Sequence, residues 1–163
     1  MPLREACGVV GITTATPVLH NLLIGLRALQ HRGQESAGVA LFDGEHLTRR
    51  GMGLVSEALT NFETRFHDAA TGIGHVRYST AGDSRIVNAQ PILIDCVHGE
   101  IALCHNGNLI NAPELRTDLV SEGCIFQTNS DTEVVLHLYA RSKAATPQDA
   151  IVESVAHVHG AFS

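Results

Sequence analysis

Two short turn signals constrain every fold open to this chain. Asp43-Gly44 separates the apolar run Ala37-Gly38-Val39-Ala40-Leu41-Phe42 from His46 to Arg50. His98-Gly99-Glu100 separates Ile92 to Val97 from Ile101 to His105. Asp-Gly and similar pairs tolerate the positive φ that tight hairpin loops require, so these strands fold back in antiparallel pairs. Strands are also expected over Cys7 to Ile12 and Gly72 to Ser79, with another beginning at Gly160. Between the pairs the apolar period changes. Leu19, Leu22, Leu23, Leu26 and Leu29 recur at helical spacing behind Thr16-Pro17, a cap and a first-turn proline. That helix is expected to reach about His31 and to be ended by Gly33. Further helices are expected over Leu59 to Phe66, after Asn111 (with Glu114), after Ser130 (with Glu133) and after Thr146-Pro147. Asn106-Gly107-Asn108 reads as a turn. Hairpins alternating with helices predict an α+β fold of antiparallel sheet covered by helical layers.

Composition narrows the function classes. A chain of 163 residues is long enough for one domain with a real core. Hydrophobic residues make up 44% and charged residues 17%, which is globular. A net charge of −6, with 11 Lys plus Arg, argues against a nucleic-acid partner. No apolar run approaches the ~20 residues of a membrane span, and the first six residues lack a signal-peptide core. The expectation is a cytoplasmic chain with reduced thiols. Cys7, Cys96, Cys104 and Cys124 show no metal-ligand spacing, so no metal site is expected.

Four polar clusters follow strands or open helices. Cys7 stands at the lip of the first strand. Were the preceding residues removed, it would carry a free α-amine, with pKa ~7.7–8.0, beside a thiol of pKa ~8.5. One residue would then supply nucleophile and base. The plainer alternative is a small buried thiol. Arg77 ends a glycine-rich strand and suits bidentate capture of a carboxylate, or is a surface arginine. Asn106 and Gly107 offer a side-chain amide and a backbone N–H to an oxyanion, or form an ordinary turn. Asp131 could hold an ammonium group, or complement a helix start. His157 and His159 read as a solvated or capping pair. Together the four clusters describe a site for an amino acid with an amide on its side chain. Attack by the thiol would release ammonia and leave a thioester for hydrolysis.

Five motifs stand in order: Cys7 to Ile12, Leu29 to Glu35, Gly74 to Gly82, His105 to Leu109 and Ser130 to Glu133. In this the chain closely resembles the glutaminase domain of the amidophosphoribosyltransferases, within the class II glutamine amidotransferase family. The related fructose-6-phosphate transaminases carry tyrosine at the positions of His31 and Gln34 and tryptophan at that of Tyr78. The resemblance implies an N-terminal nucleophile hydrolase fold, a four-layer αββα sandwich with two antiparallel sheets, here cut short at its C-terminal end. It implies that Met1 to Ala6 are a propeptide and residues 7–163 the glutaminase domain. Cys7 is then the nucleophile, and Asn106 and Gly107 the oxyanion hole. Arg77, with Thr80 close by, binds the glutamine carboxylate and Asp131 the glutamine amine, while Arg32 and Gly33 belong to the loop beside the nucleophile.

The resemblance also places a phosphoribosyltransferase domain, Mg²⁺ and, in relatives with a propeptide, an iron–sulfur cluster outside this chain. No cofactor is expected within it. A homo-oligomer is expected for the full enzyme. Two alternatives stay open: an unprocessed or truncated fragment that binds glutamine or only assembles, and an independent cysteine amidase for another small amide.

Overall fold

The computed structural model describes residues 7–60, 68–78 and 84–163. The proposed propeptide and Thr80 lie outside the described residues. The elements in chain order are β1 (Gly8–Thr13), α1 (Leu19–Ala28), β2 (Ser36–Phe42), β3 (His46–Met52), α2 (Val55–Ala58), β4 (Thr71–Arg77), β5 (Ile92–Cys96), β6 (Gly99–Leu103), β7 (Gly107–Leu109), α3 (Ala112–Ser121), α4 (Thr132–Arg141), α5 (Pro147–Ala156) and β8 (Gly160–Phe162). A four-stranded antiparallel sheet has the order β1-β4-β2-β3, and β5-β6 and β7-β8 form two further pairs. The expected antiparallel sheets are therefore present, the second divided into two pairs.

Side-chain alternation along β4 creates the layers. Gly72, Gly74 and Val76 face α1, and a Cβ on Gly74 would lie 2.8 Å from Leu26 Cδ1. The leucine stripe of α1 packs there, with Leu22 and Leu26 fully buried. Each contributes roughly 1.5–3 kcal/mol by burial. His75 and Arg77 project from the opposite face, toward β5–β6 and β7–β8. Outside those pairs a second apolar cluster joins Leu109, Leu119, Val134, Val135 and Val158 from β7, α3, α4 and the segment after α5. The order is helices, sheet, sheets, helices, as the resemblance implied.

The seam between the halves is polar. His75 Nε2 lies 3.1 Å from the His105 carbonyl. Arg50 Nη1 donates to the Ala89 carbonyl at 2.8 Å, and the Asn129 N–H donates to Asn88 Oδ1 at 3.0 Å. Backbones also approach closely: a Cβ on Gly38 would stand 2.2 Å from the Gln90 carbonyl oxygen.

Several local expectations are corrected. α1 begins at Leu19, because the Val18 N–H is drawn to the Ala69 carbonyl at 3.0 Å. Thr16 bonds Thr14 instead of capping. After Ala28 the chain makes one 3₁₀ turn, Gln30–Arg32. Gly33 is extended, so it is not a left-handed stop; it is needed because a Cβ would lie 2.7 Å from the Arg77 backbone. Most of the helix expected over Leu59 to Phe66 lies outside the described residues; just before it α2 spans Val55–Ala58, and Leu59 and Thr60 form a turn. β6 runs Gly99–Leu103, two residues ahead of expectation. Asn106-Gly107-Asn108 leads into strand β7, paired with distant β8. Neither early capping box forms. Asn111 donates to the His157 carbonyl and accepts from the His159 N–H, tying down exposed His157 and His159. Glu133 accepts from the Gln127 and Thr128 N–H groups. Thr146 does cap α5, accepting from the Asp149 N–H at 3.1 Å. The end of α3 also follows expectation. Gly123 is left-handed (φ 92°), and the Gly123 and Cys124 N–H groups bond back to Val120 and Leu119.

Two outcomes are expected. Gly38→Ala forces its Cβ into the Gln90 carbonyl and lowers the melting temperature by roughly 4–10 °C. Gly11→Ala meets only Ile73 Cγ2 at 3.8 Å and leaves it nearly unchanged; equal melting of the two variants contradicts the packing argument. Burial pushes His75 down to about 4, despite its carbonyl partner. The unfolded chain therefore takes up this proton first, and stability is lost as pH falls from ~6.5 toward 4, by up to about 3 kcal/mol. His75→Leu flattens that slope in urea titrations at pH 7 and 4.5.

Candidate active site

Cys7 sits immediately before β1, whose first residue, Gly8, pairs with Val76 of β4. Its φ is 58°, a left-handed conformation uncommon outside glycine. Three contacts hold it. Arg32 Nε donates to the Cys7 carbonyl at 2.7 Å. The thiol donates to the Tyr78 carbonyl at 3.4 Å, and the Tyr78 N–H points at Sγ from 3.5 Å. Burial pushes the thiol up, outweighing the Tyr78 hydrogen bond and the Arg77 charge. The sulfur is thus mostly protonated at neutral pH and needs a base.

Arg77 ends β4 and is buried. Its guanidinium is ion-paired through Nη1 with Glu35, and the Glu35 N–H donates to the Arg77 carbonyl at 3.0 Å. Glu35 therefore grips both ends of the residue. A buried ion pair fixes an arginine's direction better than it stabilises a fold.

The β7 ladder explains Asn106 and Gly107. Asn106 and Ser163 exchange both backbone hydrogen bonds, at 2.9 and 2.8 Å. Alternation then makes Gly107–Phe162 a non-hydrogen-bonded pair, leaving the Gly107 N–H outside the ladder. Leu109, two residues on, turns its N–H the same way and donates to Asp131 Oδ2 at 3.1 Å. Gly107 (φ 148°) is required, since a Cβ would meet the Ala161 carbonyl at 2.2 Å.

Asp131 caps α4 by position but not by hydrogen bond. Burial pushes its carboxyl up, but His105, with Nδ1 3.5 Å from Oδ1, and the Leu109 and Thr132 N–H groups outweigh this. The net effect holds it below the usual aspartate range, ionised at neutral pH.

Cys7, Arg77, Gly107 and Asp131 line one cavity of about 20 Å³, with Gln90 and His105 between them. That is room for about one water. A thiol, a cation, a free N–H and an anion converge from four separate stretches of chain. Asn106 is half-buried beside Gly107, outside the lining; Arg32 and Gly33 act through Cys7 and the Arg77 backbone. Glu35, His75 and His105 stand inside the sequence motifs but were given no role there, and Gln90 lies outside them. The polar density of the 30–36 loop hinted at Glu35, whereas nothing local marked Gln90. A larger cavity, about 340 Å³, lies between β5 and α4, but its Glu133 carboxylate is committed to Gln127 and Thr128.

Burial pushes the Cys104 thiol up to about 12, and no group of three or more His, Cys, Asp or Glu among the described residues could hold a metal ion. Among the described residues no helix is long and apolar enough to cross a membrane.

A model of the glutamine amidotransferase domain matches residues 75–163. The amidophosphoribosyltransferases of Staphylococcus aureus (strain Mu50) and Bacillus subtilis (strain 168) are each 45% identical over 99% of this chain, which covers 33% and 34% of them. A solved structure, the glutamine phosphoribosylpyrophosphate amidotransferase from B. subtilis complexed with ADP and GMP, matches with a TM-score of 0.86 and 42% identity. The match covers 94% of this chain and 33% of that one. The chain thus spans about a third of the length of these relatives. By its motifs, its layered antiparallel sheets and these matches, the chain belongs to the glutamine amidotransferase domain family and within it resembles the amidophosphoribosyltransferases.

Proposed function

We propose that this chain hydrolyses the side-chain amide of glutamine, once Met1 to Ala6 have been removed. What carries the reading is the convergence of Cys7, Arg77, Gly107 and Asp131 on one cavity. Arg77 takes the substrate α-carboxylate and Asp131 the α-ammonium, so a zwitterionic amino acid is held at its head. Thr80 assists Arg77. The side-chain amide then lies at Sγ. The freed α-amine of Cys7 accepts the thiol proton, and the sulfur adds to the amide carbonyl. The Gly107 N–H and the Asn106 amide receive the negative charge that develops on oxygen. Protonated by the same amine, ammonia leaves; water hydrolyses the thioester to glutamate. Arg32 keeps the Cys7 carbonyl in place, and Gly33 lets that loop lie against Arg77.

The name of the longer relatives joins amide and phosphoribosyl transfer. We propose that ammonia released here aminates phosphoribosyl pyrophosphate at a separate domain of a purine-biosynthetic enzyme in the cytoplasm, acting as a homo-oligomer. Mg²⁺ or an iron–sulfur cluster would be held by that domain's residues.

A cavity of about 20 Å³ favours a second reading for the unprocessed form: a closed precursor that does not turn over glutamine. Intact mass paired with an ammonia-release assay separates the two readings, since only chains beginning at Cys7 should be active.

For the processed chain, Cys7→Ala lowers glutaminase turnover by roughly 10³-fold or more. Asn106→Ala lowers kcat by roughly 10²–10³-fold, the usual loss for one oxyanion donor. Full activity in the Cys7 variant removes the mechanism. Because the thiol is pushed up and its base is an α-amine, kcat/KM should rise with pH through ~7.7–8.0 as that amine loses its proton. A profile flat across this window shows that another base acts.

A further inference from the structure

We propose that Gln90 is a positioning residue that holds the oxyanion-binding start of β7 and the ammonium grip at one fixed separation; this rests on the glutaminase reading above. Gln90 is buried at the cavity wall. Its Oε1 accepts from the His105 N–H at 2.7 Å, and its Nε2 donates to Thr132 Oγ1 at 3.0 Å. The orientation of the amide follows from chemistry. A backbone N–H can only donate, so oxygen must face His105 and the NH₂ must face Thr132.

The two partners adjoin the residues that handle substrate. His105 precedes Asn106 and Gly107, and Thr132 follows Asp131. One planar amide therefore spans from the start of β7, which stabilises the oxyanion, to the helix start that holds the ammonium. Its base is anchored too. The Gln90 carbonyl abuts Gly38 of β2, and the preceding Ala89 carbonyl is held by Arg50. Thr132 is fully buried and bonds Ser130 Oγ and His105 Nδ1 as well, at 3.0 and 3.3 Å. All three residues are buried, so loss of the amide takes away the acceptor of the His105 N–H and frees the start of β7 to move. A substrate held at both ends responds to that movement, whereas a reagent that needs only the sulfur does not.

The test compares two thiol reagents on the processed chain, with labelling of Cys7 read by peptide mass. Iodoacetamide needs only the thiol. A glutamine-shaped diazoketone must also seat its carboxylate and ammonium before sulfur bonds to the diazo carbon, which takes up the thiol proton as N₂ departs. Gln90→Met and Thr132→Val should each slow the diazoketone by roughly 10- to 100-fold, the scale of a misplacement near 1 Å, and leave iodoacetamide nearly unchanged. The double variant should be slowed by clearly less than the product of the two single effects, because both remove the Gln90–Thr132 bond. Unchanged diazoketone rates, equal slowing of both reagents, or multiplying effects in the double variant overturn the proposal. Thr132→Val preserves side-chain shape and carries the comparison if Gln90→Met does not fold. A parent chain whose Cys7 shows no preference for the diazoketone over Cys96 and Cys124 removes the glutaminase reading itself, and the proposal with it.

Discussion

The seam between the two halves of this molecule is polar, and nearly everything else follows from satisfying it. Apolar clusters lie on the outer sides, between sheet and helices. In the middle, β4 turns His75 and Arg77 inward, where each buried polar atom needs a partner or costs ~1–3 kcal/mol. Most find one from the other half or from a loop. Among the described residues Ser36 Oγ, His75 Nδ1 and His105 Nε2 do not. A core selected for stability alone would not keep two half-satisfied imidazoles there. The seam is better understood as a rigid frame whose open corner is the cavity beside Cys7.

The elements legible in the sequence were those whose signals are local. The hairpin turn at Gly44, the cap at Thr146 and the left-handed Gly123 each depend on residues within one turn of chain, and each behaves as its chemistry dictates. Signals failed where a distant group claimed the side chain. Asn111 and Glu133 sit at capping-box positions, yet their polar atoms are committed to residues 157–159 and 127–128. Val18, paired across space with Ala69, moves the start of α1 away from Thr16. Asn106-Gly107 reads as a turn because its strand partner lies near the far end of the chain.

The candidate site divides in the same way. Cys7, Arg77, Gly107 and Asp131 were nameable because their chemistry is distinctive, and the fold gathers them. Their supports were not nameable. Glu35 matters only once β4 lays Arg77 beside it, and Gln90 only once His105 and Thr132 stand on either side. A glutamine before a proline carries no message in one dimension. Reactive groups announce themselves by type, whereas the residues that aim them are defined by what happens to lie within 3 Å.

The backbone at Cys7 has a consequence of its own. A φ of 58° forces a β-carbon toward the preceding carbonyl, at a cost of roughly 1–2 kcal/mol for a residue other than glycine. That torsion exists only while a peptide bond joins Cys7 to Ala6. Were the chain to start at Cys7, there would be no preceding carbonyl to crowd, and the same atomic positions would be free of that strain. The conformation that is uncomfortable for an internal residue is an ordinary one for a first residue.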